Sequence, residues 1–217
     1  MKSIILIAPP AGGKGTQSSM LKEEYNLPHI STGDLLRGAS NDDSKIAMEL
    51  KQIMSEGKLV PDEIVMELLK ARIAKEDCNN GYILDGFPRT VSQAEAYEKI
   101  LEELGKEEGL VILLNTNKED AAARIANRVS CPNCGRVYNN VIENLKPQVA
   151  DKCDDCKCDL THRADDNAET YEARFDEYVS KTQPLVDFYK AKNLLYEVDN
   201  NIDVDNTFMQ IQRIIGE

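Results

Sequence analysis

A lysine and a threonine follow a short apolar segment near the start of the chain, in a pattern suited to phosphate binding. The segment Ser3–Ala8 is followed by the small residues Ala11–Gly13 and then by Lys14 and Thr16. In phosphate-binding loops, backbone N–H groups and the positive end of a helix dipole point at one anion. Lys14 could reach the outer phosphates of a nucleotide, and the Thr16 hydroxyl could contact a phosphate or Mg²⁺. The usual motif has Gly in place of Ala8, so an ordinary tight turn is the alternative.

A carboxylate and an arginine follow a second apolar segment. The segment Tyr82–Asp85 reads as a strand that ends in a carboxylate, and ligands of open parallel sheets bind at the carboxyl ends of strands. Asp85 is suited to hold Mg²⁺ through water. Arg89 comes directly after the stiff dipeptide Phe87-Pro88, so we expect its guanidinium group to have a fixed direction. The alternative is a solvent-exposed turn with an incidental arginine.

Several arginines lie near predicted loops or helix ends. Arg124 and Arg128 are four residues apart, which predicts that they share one helix face. Guanidinium groups bind phosphate oxygens in pairs of hydrogen bonds, so converging arginines could hold a triphosphate and a monophosphate together. The alternative is that each is a separate surface residue. The arginines concerned are Arg37, Arg89, Arg124, Arg128, Arg163 and Arg174.

Four of the six cysteines form two pairs with the spacing of a metal site. Cys131 and Cys134 make one CxxC pair, Cys153 and Cys156 make the other, and 18 residues separate the pairs. This spacing is typical of a tetrahedral zinc ribbon, in which protein thiolates fill every ligand position and the metal is structural. Free thiols are the alternative, and iron could bind the same ligands in vitro. Cys158 is close enough to compete with Cys156, but the regular CxxC spacing favours Cys156.

The elements that must position these residues alternate between strands and helices. Because several predicted strands are apolar on both faces, the pattern predicts a doubly wound α/β fold with a five-stranded parallel sheet. Thr90 and Asn117 precede two helices as predicted N-caps. Strands are predicted at Ser3–Ala8, Pro28–Ser31, Tyr82–Asp85, Leu110–Asn115 and Leu194–Asp199. Helices are predicted at Lys14–Tyr25, Asp62–Lys75, Val91–Leu104, Lys118–Val129, Glu169–Ala191 and Thr207–Ile215.

Two segments interrupt this alternation. Thr32–Val60 has helical pieces but no strong strand, and Cys131–His162 holds five of the six cysteines with little helical periodicity. We expect both to be insertions into the α/β core.

Composition limits the class of protein. The chain has 217 residues, of which 41% are hydrophobic and 29% charged, and its formal net charge is −12. Such an acidic chain is a poor candidate for wrapping nucleic acid, which requires a basic surface. Its apolar runs are far shorter than the about 20 residues that span a bilayer, and the first is too short for an export signal. We therefore expect a cytoplasmic protein without membrane partners, with Cys78 as a small buried residue.

Together the motifs resemble those of one family, the adenylate kinases of the bacterial type with a long, zinc-bearing lid. The resemblance covers essentially the whole chain and implies the reaction ATP + AMP ⇌ 2 ADP, with Mg²⁺, structural Zn²⁺ and a monomeric protein. In chain order the motifs are "PPAGGKGTQ" (9–17), "STGDLLR" (31–37), "GKLVPDE" (57–63), "LDGFPRTVSQA" (84–94), the Arg124 and Arg128 pair, and "RADDNAETYEAR" (163–174).

The resemblance implies an ATP site built on the phosphate loop. Lys14 would bridge phosphates, the Arg124 and Arg128 pair would grip ATP, and the main chain at Ile202 would contact adenine. The ATP-site residues so implied are Ala11, Gly12, Gly13, Lys14, Gly15, Thr16, Arg124, Arg128, Val137, Tyr138 and Ile202.

It also implies an AMP site and a division of the chain. Gln93 would read the adenine edge of AMP, while Arg163 and Arg174 would lie at the transferring phosphoryl group. The AMP-site residues are Thr32, Arg37, Lys58, Leu59, Val60, Gly86, Phe87, Pro88, Arg89, Gln93, Arg163 and Arg174. Residues 31–60 become the AMP-binding insertion, 128–165 the lid, and 1–30, 61–127 and 166–217 the core.

The phosphate loop departs from the family pattern at neighbouring positions. Family members usually have Gly where Ala8 and Ala11 stand, and commonly have Ala where Gly12 stands. If the loop requires a positive φ at residue 11, Ala11 would cost about 1 kcal/mol or the turn would have to adjust.

Phosphoryl transfer needs positioning and charge cancellation, so we expect no protein nucleophile and no base from His29 or His162. The positive field would come from Lys14, the site arginines and Mg²⁺ beside Asp85.

The sequence leaves other functions open. One alternative is a kinase that acts on another nucleoside monophosphate or uses GTP as donor. In other classes, the alternatives are a zinc-ribbon nucleic-acid-binding module and a signalling or assembly ATPase.

Overall fold

The computed structural model describes residues 2–40, 45–56, 58–163 and 166–216. Parts of the two predicted insertions, residues 41–44, 57 and 164–165, lie outside the described residues, as do both terminal residues. Within the described part, no helix combines the length and the apolar character that crossing a bilayer requires.

A five-stranded parallel sheet forms the centre of the molecule, with the strand order β2-β3-β1-β4-β7. A separate two-stranded antiparallel hairpin pairs β5 with β6. The strands are β1 (Ile4–Ile7), β2 (His29–Ser31), β3 (Ile83–Asp85), β4 (Leu110–Asn115), β5 (Arg128–Ser130), β6 (Val137–Asn139) and β7 (Leu195–Asp199). The predicted parallel sheet and all of its strands are confirmed, with ends shifted by at most one residue.

Helices flank the sheet and form much of the described part of the first insertion. The helices of the described residues are α1 (Lys14–Tyr25), α2 (Thr32–Ala39), α3 (Lys45–Ser55), α4 (Asp62–Ile73), α5 (Val91–Leu104), α6 (Lys118–Ala126), α7 (Ala168–Glu177), α8 (Pro184–Ala191) and α9 (Val204–Gly216). Short 3₁₀ turns occur at Glu76–Cys78 and Glu143–Leu145, and a π-helical turn, Tyr178–Thr182, links α7 to α8.

The central strand β1 is buried on both faces. Ile5 and Ile7 pack into the apolar core on one side of the sheet, whereas Ile4 and Leu6 pack into the core on the other side. Alternate residues of a strand point to opposite faces, so this separation is what an apolar strand between two layers of helices produces. The phosphate loop therefore begins from a strand whose four residues are all buried.

Two helix predictions are wrong in their extent. The helix predicted for 118–129 ends at Ala126, so Arg124 and Arg128 do not share a helix face: Arg128 begins β5 and pairs with Asn139. The predicted single helix Glu169–Ala191 is two helices joined by the π turn, and Pro184 starts the second because its ring cannot continue a regular helix.

Of the two predicted N-cap residues, one caps its helix through a side-chain hydrogen bond and the other does not. The Thr90 side chain accepts a hydrogen bond from the Gln93 backbone N–H, which confirms it as the cap of α5. Asn117 precedes α6, but its side chain makes no capping hydrogen bond.

The predicted lid has a small core of its own. Val129, Tyr138, Cys131 and Cys153 are buried together around the β5–β6 hairpin. The hairpin register follows from the pairing of Val129 with Tyr138, which places both side chains on the same face.

Candidate active site

The phosphate loop joins β1 to α1 through two left-handed residues. Ala11 has a φ of 56° and Gly13 a φ of 81°, and the Gly12 N–H donates to the Pro9 carbonyl oxygen over 3.0 Å. Residue 11 therefore does adopt a positive φ, the first of the two possibilities raised by the sequence, although alanine disfavours it by about 1 kcal/mol. The loop keeps its turn geometry and accepts the local strain.

Ala8 and Gly12 are in steric contact within this loop. A Cβ atom added at Gly12 would lie 2.9 Å from the Ala8 Cβ and 2.9 Å from the Pro9 carbonyl oxygen. Both distances are shorter than van der Waals contact, so the Ala8 methyl group and the Pro9 carbonyl oxygen together favour glycine at residue 12.

Asn200, which sequence reasoning missed, directly follows β7 and holds the phosphate loop at the carboxyl edge of the sheet. Its side chain, only 5% exposed, donates to the Gly12 carbonyl oxygen over 3.0 Å and to the Thr116 hydroxyl over 2.8 Å. Its own side-chain oxygen accepts from the Thr207 hydroxyl of α9 over 3.0 Å. Its main-chain oxygen accepts from Arg124 over 3.2 Å. No local motif could reveal this contact, since 188 positions separate Asn200 from Gly12.

The Lys14 ammonium group points back into the loop that precedes it. It donates to the carbonyl oxygens of Ala8 and Pro9 over 2.8 and 3.2 Å. Burial lowers the pKa of Lys14 to about 8; the Asp85 carboxylate opposes this shift, and the charge of Arg89 adds to it. The negative charge of a phosphate group bound here would offset the positive charge of the neighbouring arginines.

Asp85 lies where predicted, at the carboxyl end of β3. Its Oδ2 atom is 3.4 Å from the His29 Nε2 atom of the neighbouring strand. Burial alone would raise the pKa of Asp85, but the contact with His29 and the charge of Lys14 outweigh burial and lower it. The carboxylate is therefore ionised and available to attract a cation.

A cavity of about 600 Å³ opens above the carboxyl ends of these strands. Such a volume is typical of small-molecule sites. The cavity is lined by the phosphate loop, by Arg37, Met54 and Lys58–Val60 of the insertion, and by the lid from Cys134 to Asn139. Of the residues predicted for nucleotide binding and catalysis, all but Thr32, Phe87 and Gln93 line it, including the exposed Ile202.

Thr32 and Gln93 line a smaller cavity that shares Gly86 and Arg89 with the large one. The Gln93 Oε1 atom accepts from the Arg89 N–H over 2.8 Å, and the Thr32 hydroxyl donates to the Gly86 carbonyl oxygen over 2.8 Å. The Phe87 side chain instead packs edge-on against Tyr97 in the core, so only its backbone is available to a ligand.

The predicted arginines converge on the large cavity, and a buried carboxylate organises part of them. Asp166, whose side chain is fully buried, accepts from the Arg128 Nε atom over 2.7 Å and lies 3.8 Å from Arg174. Burial, together with the charge of Arg128, lowers the pKa of Arg163 to about 10. Asp166 stood within the quoted "RADDNAETYEAR" motif, but sequence reasoning gave it no role.

Arg37 belongs to the insertion side of the cavity. It pairs with the Asp34 carboxylate one turn earlier on α2, and both side chains are partly exposed. Gly135 of the lid faces the same carboxylate: a Cβ atom at Gly135 would lie 3.8 Å from the Asp34 Oδ2 atom. The lid and the insertion therefore meet across the cavity.

The four predicted metal ligands are brought together in the lid. The sulfur atoms of Cys131, Cys134, Cys153 and Cys156 all lie within 4.8 Å of one another, and those of Cys134 and Cys153 are 3.7 Å apart. Tetrahedral zinc with thiolate bonds of about 2.3 Å places its sulfur atoms about 3.8 Å apart, so these residues fit Zn²⁺.

Hydrogen bonds prepare the thiols for this role. The Cys134 N–H donates to the Cys131 sulfur, and the Cys156 N–H donates to the Cys153 sulfur, each over 3.4 Å. Burial opposes ionisation of Cys131, but the donated N–H bonds lower its pKa to about 6. Cys158 lies outside the four-residue group, with its sulfur 3.3 Å from that of Cys131.

A parallel sheet with a phosphate loop, a cation-rich cavity and two covering insertions defines a P-loop phosphotransferase. The family model described as "Adenylate kinase" matches residues 6–194. Among curated proteins, the adenylate kinase of Thermotoga neapolitana is 40% identical over 217 residues, which cover 100% of this chain and 98% of the relative. The adenylate kinase of Archaeoglobus fulgidus is 41% identical over 213 residues, which cover 98% of this chain and 97% of the relative. The chain belongs to the adenylate kinase family, and its reaction is phosphoryl transfer, ATP + AMP ⇌ 2 ADP.

Proposed function

We propose that the phosphoryl group passes directly from ATP on the phosphate-loop side of the cavity to AMP on the insertion side. The observation that supports this is the single cavity of about 600 Å³, which reaches both the loop and the insertion and is lined by Lys14 and arginines. Direct transfer requires donor and acceptor in line within one water-poor space.

The proposed ATP site uses the backbone of Ala11–Thr16 for the phosphates. Lys14 exchanges its two carbonyl contacts for phosphate oxygens, and Arg124 and Arg128 bind the phosphate chain from the lid side. Because Tyr138 is 2% exposed and packs in the lid core, Val137 and the main chain at Ile202 are the better contacts for adenine.

The proposed AMP site lies on the insertion side. Arg37 and Arg89 bind the AMP phosphate, while the backbone of Lys58–Val60 and of Gly86–Arg89 encloses the nucleotide. Gln93 and Thr32 face the base from the smaller cavity. Arg163 and Arg174 lie between the two halves, where negative charge is transferred.

No protein nucleophile is needed, because the AMP phosphate is itself an anionic oxygen nucleophile. The chain's part is to hold the two nucleotides in line, to cancel charge with Lys14 and the arginines, and to exclude water by closing the lid. Asp85 and Thr16 would hold Mg²⁺ beside the ATP phosphates, mainly through water, and Mg²⁺ when bound neutralises phosphate charge.

We also propose that Zn²⁺ on the four lid cysteines is structural. All four ligand positions are filled by protein, so the metal has no open position for chemistry. Its proposed effect is to keep a small lid folded while it moves. The chain is proposed to act as a cytoplasmic monomer, because its own residues line both halves of the cavity and its metal ligands must stay reduced.

A coupled assay with ATP or GTP as donor and AMP, GMP, CMP or UMP as acceptor tests the proposed nucleotide assignment. We expect turnover to be highest with ATP and AMP, and to require both nucleotides together. Comparable turnover with GTP would contradict the donor assignment. Nucleoside triphosphate hydrolysis without an acceptor would contradict direct transfer.

A further inference from the structure

The side-chain amide of Gln93 is held at both ends. Gln93 lies in the first turn of α5 and is 2% exposed. Its Oε1 atom accepts from the Arg89 N–H over 2.8 Å, and its Nε2 atom donates to the Asp62 Oδ1 atom over 2.6 Å. The amide therefore has a fixed position between two partners from different parts of the chain.

These two partners also fix which way round the amide lies. A backbone N–H can only donate, and a carboxylate can only accept. If the amide turned over, its NH₂ group would face the Arg89 N–H and its oxygen would face the Asp62 carboxylate. Both hydrogen bonds would be replaced by repulsive contacts inside a buried site, so only one orientation is stable.

Asp62 is itself held in place for this role. It is the first residue of α4, where the helix dipole favours a carboxylate. Its second oxygen, Oδ2, accepts from the Ser92 hydroxyl over 3.0 Å, and the Ser92 hydroxyl also contacts that of Thr90 over 2.9 Å. Rotation of the carboxylate away from Gln93 would break the contact with Ser92.

The orientation of this amide matters because purine bases differ in the order of their polar groups. Adenine offers a donor at its 6-amino group beside an acceptor at N1, whereas a 6-oxopurine offers an acceptor beside a donor. Gln93 keeps one N–H and one oxygen lone pair for the cavity that it shares with Thr32 and Gly86. A freely turning amide could match either base, but a fixed amide matches only one.

We propose that Asp62 is a specificity-determining residue that selects AMP over 6-oxopurine monophosphates by fixing the orientation of the Gln93 amide. The proposal rests on the proposed placement of the AMP base against Gln93. Asp62 acts through Gln93 and touches no reacting atom, so it is a positioning residue.

Asp62→Asn tests the proposal, because asparagine keeps the shape but can present either an oxygen or an NH₂ group to Gln93. The measurement is kcat/KM for AMP and for IMP, each with ATP as donor. We expect the AMP-to-IMP ratio to fall about five- to tenfold, since the Arg89 N–H still favours the original orientation. The matched control is Glu63→Gln, which removes the same charge from the next, exposed residue of α4 and should leave the ratio unchanged.

Further variants separate the possible failures. Ser92→Ala removes the hydrogen bond to the second oxygen of Asp62 only. It should lower the AMP-to-IMP ratio by a smaller factor than Asp62→Asn does. Gln93→Met removes the amide and should bring the AMP-to-IMP ratio close to one.

If Gln93→Met leaves the ratio unchanged, the placement of the base against Gln93 is wrong. If Gln93→Met moves the ratio but neither Asp62→Asn nor Ser92→Ala does, the role of Asp62 is overturned. Calorimetric binding of AMP and IMP provides the same comparison should a folded variant turn over too slowly.

Discussion

At the scale of single residues, the phosphate loop has exchanged one small side chain for another. The resemblance of the loop motif to adenylate kinases implies glycine and alanine where this chain has Ala8 and Gly12. The Ala8 methyl group lies 2.9 Å from the place where a Cβ of residue 12 would be, so the two positions share room for one methyl group. Between positions 8 and 12 the number of methyl groups is therefore unchanged, and packed interiors tolerate such volume-conserving exchanges best.

Gly12→Ala should therefore impair the loop, and Ala8→Gly should partly restore it. We expect Gly12→Ala to lower the free energy of unfolding by about 1–3 kcal/mol, because overpacking forces the loop to shift. The double variant should recover part of this loss; the contact with the Pro9 carbonyl oxygen remains in both variants. Denaturant unfolding and the KM for ATP measure the effect. Additive losses in the double variant would show that the two positions do not share this space.

The lowered pKa of Lys14 predicts how ATP binding depends on pH. Burial and the nearby arginines hold this pKa at about 8 in the free protein, and bound phosphates would raise it again. ATP binding should therefore take up a proton near pH 8, and ATP affinity should fall as pH rises through that value. Below about pH 7 Lys14 is already charged, so it adds nothing to the pH dependence of ATP affinity there.

Calorimetry in buffers of different ionisation enthalpy measures this proton uptake. Lys14→Ala is the informative variant: it should lose the proton uptake and nearly all phosphoryl transfer while keeping its melting temperature. Lys99→Ala, on the exposed face of α5, is the control and should behave as the wild type. Retained turnover in Lys14→Ala would contradict its role in the phosphate loop.

At the scale of elements, Asn200 connects the phosphate loop to the end of β4 and to α9. Its amide bonds Gly12 and Thr116, and its oxygen bonds Thr207. Gly12 lies between the two left-handed residues, Ala11 and Gly13, so the contact holds the loop next to its strained residue, Ala11. The family's phosphate loop is thus supported here by a side chain from the opposite end of the chain.

Asn200→Ala should raise the KM for ATP by about tenfold, since it leaves the Gly12 carbonyl oxygen with only the 3.5 Å hydrogen bond from the Thr116 hydroxyl. The KM for AMP should change little, because Asn200 does not line the smaller cavity that holds Thr32 and Gln93. The matched control is Asn201→Ala in the same turn, whose side chain bonds the backbone of Asn115 and Asn117 instead of the loop. Equal rises of both KM values in Asn200→Ala would indicate a general loss of structure.

At the scale of the whole molecule, the lid and the α/β core have separate apolar cores. The lid core consists of a few residues around the cysteines, whereas the central sheet has large cores on both faces. So small an apolar cluster cannot keep a domain folded by burial alone, and bound metal would supply the missing stabilisation. In the proposed mechanism the lid must nonetheless stay folded while it opens and closes over the cavity.

Cys134→Ser should therefore release zinc and unfold the lid while the core sheet stays folded. We expect zinc content to fall from about one ion per chain and hydrogen exchange to rise across 128–163, with the sheet still protected. Cys158→Ser is the control, because that thiol lies outside the four-residue group and its loss should leave the metal in place. Unchanged zinc content and melting in Cys134→Ser would refute the zinc ribbon.

The sequence by itself determined the sheet, the phosphate loop and the cysteine group. Apolar segments of strand length, separated by helical ones, are local signals, and the CxxC pairs are too. The same local reasoning failed at Arg128, because helical spacing does not reveal that the chain turns into a hairpin after Ala126.

Only the tertiary structure decided which side chains meet. Asn200 reaches Gly12 across 188 positions, Asp166 reaches Arg128 across 38, and Asp62 reaches Gln93 across 31. Periodicity fixes which face of an element is buried, but it carries no information on the partner that another element presents there. That choice depends on how helices and strands pack together, and it sets the orientation of the groups that surround the cavity.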